Sequence, residues 1–285
     1  MHPPAALTRL LRRASNSLRS RLAPVPEIPA ELWLSTVRQF PFLAALDMEE
    51  QSKLRAISAL FLQQKEFTGA HGMEVTDAMA VAIAAQACLP LLHWGDPAKA
   101  LDWYDDFVGI VVHPAEAVAV RQSTDAAGVT HQYSQVLLGE AMERGPVMLA
   151  WPAVESAGQD PEDATSVVIH EFIHKIDMKD GAVNGRPPLQ LGFAGTSSAA
   201  EGRRLWADTW TRAYDGFREK VIIAQRFGGE KQWLNSYGAT APEEFFAVAC
   251  EAYFVNHSRF AQEFPALSPL LDALFNRPAR TAARP

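Results

Sequence analysis

Residues 167–177 of this 285-residue chain read VVIHEFIHKID, and two histidines, His170 and His174, stand four positions apart in them. Side chains at positions i and i+4 of an α-helix project from the same face, so both imidazoles point the same way and Glu171 lies alongside them. Apolar residues surround the three, which predicts a buried helix. Buried polar side chains need a compensating partner, and the H-E-x-x-H spacing is typical of a helix that binds one zinc ion at about 2.1 Å.

The glutamate between the two histidines adds a chemical role to the predicted zinc ligands His170 and His174. Zinc lowers the pKa of its bound water to near 7, and Glu171 is predicted to be the general base that takes the proton as this water attacks a carbonyl. The pattern therefore indicates hydrolysis at one Zn²⁺ ion. The alternative is a pair of core histidines whose hydrogen bonds are satisfied within the protein.

A catalytic zinc needs a third protein ligand and leaves its fourth position to water. Asp177 follows His174 on the same helical face, and Asp180 stands where metzincin-type peptidases place their third ligand. Those chains turn sharply at a glycine where this chain has Asp177, so Asp180 fits the pattern poorly. Asp177 is better suited to orienting an imidazole.

A third candidate ligand lies in residues 236–247, which read SYGATAPEEFFA. Thr240 and Glu243 have the spacing of a capping box, which gives Glu243 a structural role and leaves Glu244 free to bind metal. A carboxylate at the entrance of such an apolar helix usually has a metal or ion partner. Glu251 shares a helical face with Glu244 and is a candidate for supporting a ligand. The alternative for Glu244 is a solvated first-turn glutamate favoured by the helix dipole.

The remaining sequence predicts an α+β fold in three parts. Residues 1–25 form a basic tail with leucines at helical spacing, suited to an anionic surface or an acidic partner; the alternative is a segment that packs on its own protein or frays. Residues 26–105 are predicted to be a helical N-terminal region, in which Asp47 and Glu50 have the spacing of a capping box. Residues 106–285 are predicted to be a catalytic domain with short β-branched strands beside the motif helix.

Two local expectations follow for the catalytic part. Residues 145–151, GPVMLAW, are predicted to form a strand, with Pro146 placing it early in the strand or on an edge of the sheet. At an edge, an extended peptide can add as one more strand. The motif helix is predicted to begin with Asp160 as N-cap and Pro161 at its first position.

Composition excludes several classes of protein. A formal net charge of -7 argues against direct binding of nucleic acid, which needs a dominant basic face. No stretch approaches the roughly 20 apolar residues that span a bilayer. The two cysteines, Cys88 and Cys250, form no C-x-x-C pair, so neither a disulfide framework nor a cysteine metal site is indicated. A cytoplasmic location fits this composition.

The motif and its surroundings resemble a known family. HEFIHKID at residues 170–177, together with SYGATAPEEFFAV at residues 236–248, is similar to the Mlc titration factor A family of zinc peptidases. A more distant similarity connects them to the catalytic domain of lethal factor, a gluzincin. Further blocks at residues 50–54, 61–65 and 139–151 extend the resemblance over about residues 38 to 275.

The resemblance carries expectations about fold, activity and residues. It implies a zincin-like domain that hydrolyses peptide substrates with aminopeptidase-like activity, and zinc held by His170, His174 and Glu244. Glu171 would be the general base, and Tyr237 would donate a hydrogen bond to the oxyanion. The family name also implies an alternative, a regulatory protein that binds and titrates an Mlc-like transcriptional repressor of sugar uptake.

Overall fold

The computed structural model describes most of the chain after the N-terminal tail. The basic tail expected at residues 1–25 lies outside the described residues. None of the described helices combines the length and the apolar character needed to cross a bilayer. The described residues are 27–115, 117–124, 130–137, 139–141, 145–160 and 164–277, with the backbone alone between 117 and 141.

Helices make up most of the described chain, and a small sheet lies among them, so the predicted α+β class is confirmed. The capping box expected at Asp47 is present. The carboxylate of Asp47 accepts from the N–H of Glu50, and the carboxylate of Glu50 accepts from the N–H of Asp47. The helices are α1 Ala30–Gln39, α2 Pro41–Ala44, α3 Met48–Gln64, α4 Asp77–Cys88, α5 Pro97–Ala100, α6 Trp151–Glu155, α7 Val167–Asp177, α8 Ala199–Phe227, α9 Pro242–Val255, α10 His257–Glu263 and α11 Ser268–Leu274.

The main sheet has four strands in the order β1-β2-β6-β5. The first three run parallel, with Glu66 opposite Gly109 and Ile110 opposite Val147, and β5 runs antiparallel to β6. A separate antiparallel pair, β3-β4, follows β2 along the chain. The strands are β1 Glu66–Gly69, β2 Gly109–His113, β3 Ala117–Thr124, β4 Thr130–Leu137, β5 Gly139–Ala141 and β6 Val147–Ala150.

The strand predicted within residues 145–151 is present, and Pro146 stands at its start, but the strand is not at an edge of the sheet. β6 begins at Val147 and pairs with β2 on one side and β5 on the other. Pro146 precedes the first paired residue, so its missing N–H interrupts no bond of the ladder and the strand is free to pair on both sides. Within the described residues, the two edge strands of this sheet are β1 and β5.

Helix α7, which carries the H-E-x-x-H motif, begins later than predicted. Its first residue is Val167, and its N-cap is Ser166, whose hydroxyl accepts from the N–H of Ile169 at 3.2 Å. Asp160 therefore does not cap this helix. Every residue of α7 is buried, as the surrounding apolar sequence indicated.

Aromatic packing fixes α7 against α3 and the segment that leads into β2. The ring of Phe172 lies 5.6 Å from that of Phe61, 4.9 Å from that of Tyr104 and 5.8 Å from that of Phe107. Behind it, the buried Lys175 donates to Asp106 at 2.9 Å. Buried side chains from both sides of residue 105 belong to one continuous core, and the division into a helical region and a catalytic domain stays a prediction.

Candidate metal centre

Three side chains from two helices converge at the centre of the fold. The Nε2 atoms of His170 and His174, both on α7, lie 3.1 Å apart. The Oε2 atom of Glu244, on α9, lies 3.1 Å from the first and 3.3 Å from the second. Among the described residues, these three form a group of side chains that can hold a metal ion.

The spacing of the three atoms fits a single zinc ion. Tetrahedral coordination with bonds of about 2.0–2.1 Å places ligand atoms roughly 3.3 Å apart, close to the distances among the two imidazoles and Glu244. Two imidazole nitrogens and a carboxylate oxygen are also ligands that zinc accepts. Since a carboxylate faces both rings, a positive charge between them is favourable.

A second carboxylate fixes the orientation of the first histidine. Glu251 lies two helical turns after Glu244 on α9, and its Oε1 is 2.7 Å from Nδ1 of His170. Its other oxygen accepts from the N–H of Ser166 at 2.8 Å. An Nδ1 proton donated to Glu251 leaves the lone pair on Nε2 of His170 available to a metal ion, so Glu251 lies where a carboxylate could support this candidate ligand. Nδ1 of His174 is buried without a hydrogen-bond partner among the described residues.

Glu171 lies next to the first histidine on α7 and is only 5% exposed. Burial raises the pKa of its carboxyl group above the ordinary value, and the charges of His170 and His174 oppose that rise. A carboxylate with a raised pKa accepts a proton more readily near neutral pH, which suits a general base.

The carboxylate of Glu244 and the imidazole of His170 stabilise each other's charged forms. Burial alone would raise the pKa of Glu244, but hydrogen bonds with His170 and His174 outweigh it and hold this pKa well below its ordinary value. For His170, burial lowers the pKa, yet the charge of Glu251 and the bonds with both glutamates raise it well above the ordinary value. Carboxylates that favour a proton at this point also favour a metal cation.

Tyr237 approaches the group from the short 3₁₀ turn Ser236–Ala239, which precedes α9. Its hydroxyl donates to Oε1 of Glu244 at 3.0 Å, and its ring centroid lies 6.1 Å from that of His170. The side-chain oxygen of Asn235 caps the turn by accepting from the N–H of Tyr237 at 3.0 Å. The phenol is therefore beside the candidate metal ligands, although spacing alone did not indicate it.

The capping box predicted for α9 is absent. The helix has Ala241 as N-cap with no side-chain bond, and the hydroxyl of Thr240 instead donates to the carbonyl of Tyr237 at 2.7 Å. Glu243 therefore has no reciprocal capping bond. Glu244 nevertheless lies beside the imidazole pair. The helix begins without a side-chain cap at Pro242, whose missing N–H needs no partner at the first helical position.

The two aspartates considered as alternative ligands lie outside the group. Asp177 is fully buried, and its carboxylate accepts three backbone N–H bonds from Asn184, Gly185 and Arg186. The expectation that Asp177 orients an imidazole is therefore wrong, since its lone pairs are used by the following loop. Asp180 is exposed and accepts from the N–H of Ala182 in a surface turn. Sequence spacing along the helix could not reveal that residues 184–186 fold back and donate to Asp177.

A helix-borne metal site of this kind is characteristic of metallopeptidases. The chain belongs to the family of glucose-regulated metallo-peptidases M90, whose model matches residues 13–276. Mlc titration factor A of Cronobacter sakazakii is 32% identical over 250 residues, covering 86% of this chain and 83% of the relative. An uncharacterised protein of Synechocystis is 34% identical over 247 residues, covering 82% of each chain. The resemblance expected from the sequence is confirmed.

Proposed function

We propose that this protein is a zinc-dependent peptidase of the gluzincin type, with a zincin-like arrangement of helices around its α+β core. The observation that carries the proposal is the convergence of His170, His174 and Glu244 within 3.3 Å of one another, beside the buried Glu171. Membership in a metallopeptidase family supports the same conclusion.

Each side chain has a defined role in the proposed hydrolysis. Zinc, when bound to the two histidines and Glu244, supplies Lewis-acid polarisation of the carbonyl group and acidifies a water molecule. Glu171 accepts a proton as the oxygen of water bonds to the carbonyl carbon, and it delivers a proton to the amine nitrogen as the C–N bond breaks. The hydroxyl of Tyr237 donates a hydrogen bond to the carbonyl oxygen as that oxygen gains negative charge.

The proposed substrates are peptides, cleaved in an aminopeptidase-like manner. Strand β5 supports a peptide substrate, because it is one of the two terminal strands of the sheet within the described residues and contacts the motif helix α7. An extended peptide can pair with the free edge of such a strand, which holds the scissile bond in a defined register. We assign peptide pairing to β5 and not to β6, because β6 is an interior strand of the sheet.

The substitution Glu171→Gln tests the catalytic proposal directly. The amide keeps the size of the side chain but accepts no proton, so we expect unchanged zinc content and at least a 100-fold loss of turnover, about 3 kcal/mol of barrier. The assay is hydrolysis of a panel of aminoacyl and short peptide substrates. Glu243→Gln is the matched control, since Glu243 lies outside the candidate metal group. Undiminished turnover of Glu171→Gln would reject the proposed base.

A second candidate function comes from the relatives called Mlc titration factor A. Their name describes titration of Mlc, so this chain is a candidate for binding a related transcriptional repressor. Glu171→Gln separates the two functions, because a surface that only binds a protein needs no base beside two histidines. Repressor binding that survives this substitution, measured by calorimetry, would show that binding is independent of hydrolysis.

Residues 26–105 and 106–285 are proposed as a helical region and a catalytic domain. We place the protein in the cytoplasm, a location supported by two buried free cysteines, Cys88 and Cys250. Fractionation of cells that produce the protein checks the location, and recovery outside the cytoplasmic fraction would contradict it.

A further inference from the structure

The carboxylate of Asp177 organises the loop that follows α7. Its Oδ2 accepts from the N–H groups of Asn184 at 2.8 Å and Gly185 at 2.7 Å, and its Oδ1 accepts from that of Arg186 at 2.9 Å. Charge-assisted bonds of this kind are among the strongest in proteins. Because Asp177 lies one helical turn after His174, the loop is fixed to the helix that carries the imidazole pair.

Gly185, the central residue of that loop, lies directly against the start of α9. A Cβ atom on Gly185 would stand 2.8 Å from the carbonyl oxygen of Pro242 and 3.1 Å from its carbonyl carbon. The residue also has a φ of +71°, which L side chains rarely adopt. Its own carbonyl accepts from the indole N–H of Trp206 at 3.0 Å, so the glycine is held from both sides.

The contact with Gly185 falls where α9 has no side-chain cap on its first turn. The N-cap Ala241 offers no side-chain hydrogen bond, and Pro242 has no N–H to donate. Glu244 follows Pro242 by two residues, so a shift of the first turn moves this carboxylate relative to the imidazoles. Coordination distances vary by only about 0.2 Å, and such a shift would be felt at the metal.

We propose that Asp177 and Gly185 are positioning residues for Glu244, acting as a clamp between the two helices that carry the metal ligands. The inference rests on the proposed metal site but adds residues that touch neither metal nor substrate. In this clamp, Asp177 holds the loop on α7, and Gly185 transmits the position of the loop to the first turn of α9. The imidazole pair and the carboxylate of Glu244 thereby keep a fixed position relative to each other.

A pair of glycine substitutions tests the clamp with a matched control. Gly185→Ala and Gly192→Ala both place a side chain at positive φ, +71° and +80°, but a Cβ at position 192 meets nothing within 4 Å. We expect Gly185→Ala to lower the melting temperature more than Gly192→Ala, because only its Cβ meets backbone, and to weaken Zn²⁺ binding by the folded protein at least tenfold relative to Gly192→Ala. Zn²⁺ affinity of the full chain is measured by competition with a chromophoric chelator.

Repeating the two glycine substitutions in a Glu244→Ala background shows whether the effect passes through this ligand. We expect Gly185→Ala to cost no further affinity than Gly192→Ala when Glu244 is absent. A loss of equal size in both backgrounds, or equal affinities of the two variants in the parent background, would overturn the clamp. If Glu244→Ala by itself leaves Zn²⁺ affinity unchanged, the proposed ligand set fails instead, which distinguishes the two failures.

Asp177→Asn provides a milder test should Gly185→Ala not fold. The amide keeps the shape of the side chain but replaces one acceptor oxygen with a donor that faces a backbone N–H. We expect a smaller loss of Zn²⁺ affinity and a weaker visible band when Co²⁺ replaces zinc, since a displaced Glu244 disturbs tetrahedral coordination. A folded Asp177→Asn protein with the affinity and Co²⁺ spectrum of the parent would contradict the role of Asp177.

Discussion

At the scale of single residues, the phenol of Tyr237 is the most informative side chain beside the candidate metal ligands. Its hydroxyl donates to Oε1 of Glu244, whereas Oε2 of the same carboxylate faces the imidazoles. The carboxylate can thus contact a metal with one oxygen while the other holds the tyrosine. In the proposed hydrolysis, the same hydroxyl donates instead to the carbonyl oxygen of the substrate.

Tyr237→Phe separates the catalytic role of the hydroxyl from a structural one. We expect kcat to fall roughly 100-fold with little change in KM, because the hydrogen bond to the oxyanion matters most in the transition state. Zn²⁺ affinity should change by less than about tenfold, since Glu244 keeps its coordinating oxygen. Steady-state kinetics and chelator competition measure the two effects. Parallel losses in kcat and Zn²⁺ affinity would instead indicate that Tyr237 mainly orients Glu244.

At the scale of secondary structure, the motif helix α7 depends on a polar network at its buried start. The hydroxyl of Ser166 donates to the side-chain oxygen of Gln86 at 2.8 Å, and the backbone N–H of Ser166 donates to Glu251. Gln86 lies on α4 in the helical N-terminal region, among alanines. One N-cap therefore connects three helices, and through Glu251 it reaches His170.

The substitution Ser166→Ala tests the importance of this cap. We expect the free energy of unfolding to fall by about 1–2 kcal/mol, because the helix loses its cap and Gln86 loses a buried partner. Urea denaturation followed by circular dichroism measures the change. Thr240→Ala is the control: Thr240 was predicted to cap α9 but does not, so its replacement should cost less than about 0.5 kcal/mol. Equal costs for the two substitutions would contradict the assignment of Ser166 as the cap.

Local sequence rules predicted the start of a helix correctly where that start depends only on residues adjacent in the chain. The capping box at Asp47 needs only the residues of one turn, and it is present as predicted. The cap of α7 was misplaced to Asp160, although Ser166 also stands three residues before an available N–H. The choice between the two depends on Glu251 and Gln86, which are 85 and 80 residues away from Ser166 and stabilise it in the buried position.

At the scale of the whole molecule, two buried lysines connect α7 to the rest of the core. The ammonium groups of Lys65 and Lys175 lie 3.9 Å and 4.6 Å from the centre of the Phe107 ring. Lys65 also donates to the carbonyl of Phe107 at 2.7 Å. Burial lowers the pKa of Lys65 from 10.5 to about 8, so its charge opposes folding at neutral pH.

The lowered pKa of Lys65 predicts a specific dependence of stability on pH. Between pH 8 and 10.5 the unfolded chain still binds the proton that the folded chain has released, so this group makes the free energy of unfolding rise with pH. The full shift corresponds to about 3 kcal/mol. Below pH 8 and above pH 10.5 its contribution is constant.

The comparison variant for this prediction is Lys65→Met, which removes the titrating group. Buried thiols and phenols such as Cys88 have raised pKa values and act in the opposite direction at high pH. The measured quantity is therefore the difference between the two proteins in the free energy of unfolding, obtained from urea titrations across pH 7–11. Parallel pH curves for the two proteins would show that the pKa of Lys65 is not lowered by folding.

The sequence by itself determined the α+β class, the membership in a metallopeptidase family, and the side chains His170, Glu171 and His174 as one unit. The class and the three side chains follow from helical periodicity and from residues close together in the chain, where the geometry is fixed by the backbone. The family follows instead from the resemblance of residues 170–177 and 236–248 to known peptidases. The resemblance also brought Glu244 and Tyr237 forward before any distance was known.

Only the tertiary structure decided which carboxylates surround the imidazole pair and in which role. Glu244 and Glu251 lie 74 and 81 residues after His170, and Asp177, close in the chain, is occupied by its own loop. The tertiary structure likewise decided that β5 forms the edge of the sheet next to β6, because β6 pairs with a strand on each side. Contacts over such distances depend on how helices and strands pack, and no local pattern of residues specifies that packing.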